Sequence, residues 1–136
     1  MLALEKHRVS DEPIRFPLPR RRSFARLASA DGEEEFVLDI YFGDVDFSRF
    51  SIQLRARQSV ILARLELDGP IHENPDGFLI PTPHLHLYRE GEGVIWAFKI
   101  PTQKFTNLSD RSILWNDFMC FCNITIPPRI QRDMFS

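Results

Sequence analysis

Three of the four histidines in the chain, His72, His84 and His86, fall within fifteen residues of one another. An imidazole binds divalent metals well and titrates near neutral pH, so such a cluster supports two chemistries. On a strand the side chains at i, i+2 and i+4 share one face. That places His84, His86 and Tyr88 together and turns Leu85 and Leu87 to the opposite side. His72 stands just before the turn Asn74-Pro75-Asp76-Gly77, which can fold it back beside the pair.

In the first chemistry, neutral imidazoles hold a divalent metal. His72, His84 and His86 form the donor set, and Asp76 or Glu90 completes it. In the second, the histidines are general acid and base and no cofactor is needed. His84 and His86 take a proton from a ribose 2′-hydroxyl and return one to the leaving oxygen, with His72 as an orienting or third catalytic group. Arg64 and Arg89 then bind phosphate and stabilise charge developing on it. Tyr88 orients a base by stacking or a phosphate by hydrogen bonding. The result is a metal-independent ribonuclease. A purely structural role stands beside both: the histidines fill a semi-polar sheet face and satisfy carboxylates such as Glu66 and Asp68. Elsewhere the chain has no Gly-rich phosphate loop, nucleophile elbow or zinc knuckle.

The elements that must position these residues are mostly strands. Ser23–Ala30 is followed by the turn residues Asp31-Gly32. Phe36, Leu38, Ile40 and Phe42 alternate with Val37, Asp39 and Tyr41, and Phe50, Ile52, Leu54 and Ala56 alternate with Ser51, Gln53, Arg55 and Arg57. Ser59–Asp68 continues the pattern and puts Arg64 and Glu66 on one face. After the long Gly69–Pro83 turn region come His84–Glu90 and Val94–Pro101, joined by Gly91-Glu92-Gly93. The period then becomes helical through Leu114, Trp115, Phe118, Met119 and Cys122, with Asn107 or Ser109 as cap. Pro127-Pro128 ends that helix, and Arg129–Phe135 suggests a short terminal one. The expected fold is therefore α+β: an antiparallel meander of about six strands with a C-terminal helix on one face. Residues 1–13 read as an N-terminal arm and 14–136 as one α+β domain.

Bulk composition sets further limits. With 136 residues, 43% hydrophobic and 26% charged, the chain has ordinary globular composition. The net charge of −2 provides no global field for coating nucleic acid. Charge is nonetheless segregated. Seven basic residues lie between Lys6 and Arg26, whereas Asp31–Asp46 holds seven acids and no base. Fourteen arginines stand against three lysines, a bias suited to bidentate phosphate or carboxylate contacts. The two cysteines are too few for a disulfide framework. No apolar run approaches membrane-spanning length, so a cytoplasmic protein with no membrane partner is expected.

Several ordered blocks carry a resemblance. They are Leu62-Ala63-Arg64-Leu65-Glu66-Leu67, His72 through Gly77, His84 through Gly91, Trp96-Ala97, Asn116 through Met119, and Cys122-Asn123-Ile124. Across roughly residues 35–135 the chain resembles an uncharacterised family of small bacterial and phage proteins, a domain of unknown function. The resemblance implies a bacterial cytoplasmic setting and no particular activity. A fainter likeness is to toxins of small toxin–antitoxin modules with an Arg-x-acidic, His, His-x-His layout. Here that layout falls on Arg64, Glu66, His72, His84 and His86, with the NPDG turn and the aromatic helix as departures. The working expectation is a toxin-like ribonuclease acting on RNA. The alternative is a non-enzymatic interaction module, an antitoxin or an inhibitor of a defence complex, that meets a cognate protein through its acidic segment. An exposed edge strand would also allow a homodimer.

Overall fold

The computed structural model describes residues 1–15, 21–42, 49–131 and 135. Alternation of apolar and polar residues builds its centre. Strands β2 (Arg22–Ser29), β3 (Glu35–Phe42), β4 (Phe50–Ala56) and β5 (Val60–Glu66) run antiparallel in chain order. β8 (His84–Leu87) and β9 (Ala97–Lys99) extend the sheet beyond β5. Phe36, Leu38, Ile40, Ile52, Leu54, Leu65 and Leu85 are all buried on the inner face. Each such side chain contributes about 1.5–3 kcal/mol when fully removed from water.

Helix α1 (Arg111–Phe121) covers that face with Leu114, Trp115, Phe118 and Met119, and these side chains join the same core. Its cap is Asp110 rather than Asn107 or Ser109. The Asp110 carboxylate accepts from the backbone N–H groups of Ser112 (2.9 Å) and Ile113 (3.1 Å), two of the donors that a helix start leaves without partners. Asn107 instead accepts from the N–H of Ser109 one turn earlier.

The main sheet has eight strands, not about six, and it is mixed rather than a pure meander. Beyond β2 lie β1 (Lys6–Arg8) and β10 (Ile124–Ile126), and these two pair in parallel. Lys6–Arg8, expected in an arm, is therefore an interior strand. Its anchor is Lys6, fully buried, whose ammonium donates to the carbonyls of Leu2 (2.7 Å), Leu4 (2.6 Å) and Cys122 (2.8 Å). The same ammonium lies 4.9 Å from the centre of the Phe36 ring. The Cys122 carbonyl closes α1, so the cation also meets the negative end of the helix dipole.

A separate two-stranded ribbon, β6 (His72–Glu73) with β7 (Leu79–Ile80), folds over the β8–β9 end. The strand expected at Val94–Pro101 forms only over Ala97–Lys99. The carbonyls of Val94 and Ile95 are taken by imidazoles instead. In the expected terminal helix, Ile130 forms a parallel bridge with Ile14, and residues 132–134 and 136 lie outside the described set. So do 16–20 and 43–48, the latter part of the acidic stretch.

Candidate functional site

β5 and β8 pair so that Arg64 faces His86 and Glu66 faces His84, all four on the outer face away from the helix. The Asn74-Pro75-Asp76-Gly77 turn, with Gly77 at φ +90°, closes the ribbon that carries His72. Asn74 fixes the ribbon to the sheet. Buried, it donates to the carbonyl of Ala97 (3.0 Å) and accepts from its N–H (2.8 Å). This brings the His72 ring to 4.8 Å from His86 and 6.1 Å from His84, centre to centre, and the latter two are 4.9 Å apart. All three pairs pack edge to face.

Each imidazole spends one ring nitrogen on a backbone carbonyl. His72 Nε2 donates to Ile95 (2.7 Å), His84 Nδ1 to Ile80 (3.3 Å) and His86 Nδ1 to Val94 (2.8 Å). A carbonyl only accepts, so these contacts fix which nitrogen carries the proton. Burial pushes His86 down to about 4 and the nearby Arg64 charge acts in the same direction, so at neutral pH its Nε2 keeps an open lone pair.

His84 is different, because its Nε2 lies 3.2 Å from Glu66 Oε2. Both of its nitrogens face oxygen acceptors. A cation held between the ring and the carboxylate would satisfy both groups. The other Glu66 oxygen, Oε1, is 2.9 Å from Arg64 Nε, an ion pair whose angle makes no hydrogen bond.

One donor atom from each of Glu66, His84 and His86 lies within 4.8 Å of the others. A tetrahedral metal bound at about 2.0–2.2 Å holds its donors about 3.3–3.6 Å apart, so a closure of about 1.2–1.5 Å would seat one. Of the expected completing ligands, Asp76 accepts from the N–H of Phe78 in the turn, and Glu90 receives the Tyr88 hydroxyl at 3.5 Å. Glu66 takes the place expected of them.

The other expected residues are placed less centrally. His84 and His86 are 1% and 2% exposed, which keeps a polymer from touching either ring directly. Tyr88 is exposed just past β8. Arg89 stacks on Trp96 (4.6 Å to the ring centre) and sits 3.9 Å from Glu92, which commits it to the Gly91–Gly93 hairpin. Arg64 alone of the two arginines stands at the histidines. Residue spacing gave no hint of the carbonyls of Ile80, Val94 and Ile95. Asn74 had a signal as a turn residue, but its pairing with Ala97 is long-range.

Residues 1–124 match the model described as Family of unknown function (DUF6978). The chain belongs to that family. No curated protein and no solved structure matches it. Within this family member no helix among the described residues is long and apolar enough to cross a membrane.

Proposed function

We propose that the protein binds a first-row divalent metal ion through His84, His86 and Glu66, with His72 over the open side. The supporting observation is the set of ring-proton directions. All three imidazoles donate their other N–H to a backbone carbonyl, the arrangement that fixes tautomer and orientation around metal-ligating histidines. Two imidazoles and one carboxylate form a donor set suited to zinc, iron(II) or nickel. The unpaired cysteines Cys120 and Cys122 fit a reducing, cytoplasmic setting.

Elemental analysis of freshly purified protein is expected to find stoichiometric metal in the wild type and none in His84→Ala/His86→Ala. A metal-free wild type whose melting temperature is unmoved by added zinc, nickel, manganese or iron(II) would overturn the reading.

A second reading, the metal-independent ribonuclease, draws on the pairing of Arg64 with His86 and of Glu66 with His84. In it Glu66 and His72, the more open members, meet the substrate, and the two buried histidines hold them in place. Growth arrest or RNA cleavage that persists unchanged in the double histidine variant removes this reading.

A further inference from the structure

The outer sheet face carries a second feature that does not depend on a metal at the histidines. Beside Glu66 it opens into a cleft of about 190 Å³ lined by Arg22, Arg49 and Arg64 together with Tyr41 and Ser51. Three carboxylates also line it, but two are already committed. Asp39 is held by Arg55 at 2.6 and 3.0 Å and by Gln53 at 2.8 Å, and Glu66 is shared between Arg64 and His84. Only Asp68 is left to oppose Arg22 and Arg49, neither of which has an ion pair or side-chain hydrogen bond among the described residues. Arg64 is charge-paired with Glu66, yet its buried Nε–H has no hydrogen-bond acceptor. Asp68 thus offsets the charge of Arg22 and Arg49 only in part, and guanidinium is the group best matched to phosphate oxygens.

An aromatic lies at its rim. Successive outward residues of β2 are Arg22, Phe24 and Arg26, all exposed, and Phe24 is 60% open to solvent. Arg22 pairs across to Tyr41 and Phe24 to Asp39, both of which line the cleft. Alternating guanidinium and aromatic groups on an open sheet face match the alternation of phosphate and base in an unpaired strand. Inorganic phosphate would use the arginines and leave Phe24 without a role.

We propose that this face binds a single-stranded polynucleotide, with phosphates on Arg22, Arg49 and Arg64 and a base stacked on Phe24. The test is fluorescence anisotropy of the full chain with a labelled oligouridylate, a duplex of equal length, and a single-stranded DNA of equal length. The oligouridylate is expected to bind saturably and to weaken as salt rises. Arg22→Ala and Arg49→Ala should each lower affinity and flatten the logarithmic salt slope by about one. Phe24→Ala should lower affinity roughly five-fold or more and leave the slope unchanged. Equal affinity for single-stranded DNA supports the proposal, because no group is assigned to the 2′-hydroxyl. No binding at low salt, a duplex bound as tightly as the single strand, or a Phe24→Ala protein that binds like wild type would each overturn it. All three positions are exposed, so unchanged melting temperatures will show that the variants remain folded.

Discussion

Asn74 shows how one side chain sets the geometry of the histidine cluster. Its amide closes two hydrogen bonds on the Ala97 backbone and holds the β6–β7 ribbon against β9. In Asn74→Ala a buried N–H and a buried carbonyl lose their partners, so stability is expected to fall by about 2–4 kcal/mol. Urea denaturation measures the loss, and a change below 0.5 kcal/mol, roughly the scale of a neutral surface substitution, would exclude this role. Lys6 gives a second prediction. Burial pushes its ammonium down to about 8, and the three carbonyls and the Phe36 face offset part of the cost of burying the charge. Between that value and the ordinary 10.5, the unfolded chain holds a proton that the folded chain has released. Folding stability attributable to Lys6 therefore grows as pH rises through this window and is lost as pH falls through about 8. Paired denaturation curves should show the wild type gaining on Lys6→Met between pH 8 and 10.5. A difference that stays flat or narrows with pH would contradict the assignment.

At the scale of elements, clean alternation made β2 to β5 and β8 legible, and it put Arg64 with Glu66 and His84 with His86 on shared strand faces. What it could not supply was the pairing of β5 with β8, because two strands separated by the Gly69–Pro83 region can meet in several registers. The short strands were also hidden. Lys6–Arg8 has too few residues for a period and buries a lysine, the residue least expected inside. Val94–Pro101 alternates well, yet pairs over only three residues, since imidazole contacts replaced ladder bonds at Val94 and Ile95. The helix was visible from its apolar period, and its true cap was one residue past the expected Ser109. Asp110→Ala is expected to cost about 1 kcal/mol by leaving two first-turn donors unpaired. Asn107→Ala should cost less, and chemical denaturation of the two variants side by side separates the cap from its neighbour.

Across the whole molecule, the histidine cluster joins two sheets that Asn74 also ties together. His84, His86 and Glu66 belong to the eight-stranded sheet, whereas His72 belongs to the two-stranded ribbon. A ligand bound only by the folded state stabilises it by about 2.7 kcal/mol at a hundred times its dissociation constant. Chelation of metal-loaded protein should therefore lower the melting temperature of the wild type and leave that of Glu66→Gln, a weaker ligand set, far less changed. Equal shifts in both proteins would separate Glu66 from the metal. The ribbon also carries Phe78 and Leu79, more than half exposed at its tip. These are preferred cleavage residues for chymotrypsin, on a flap held to the sheet by Asn74, by His72 and by a cation if one is bound. Digestion under native conditions should thus cut first at this tip, and the rate of that first cut becomes a clock for how often the flap lifts.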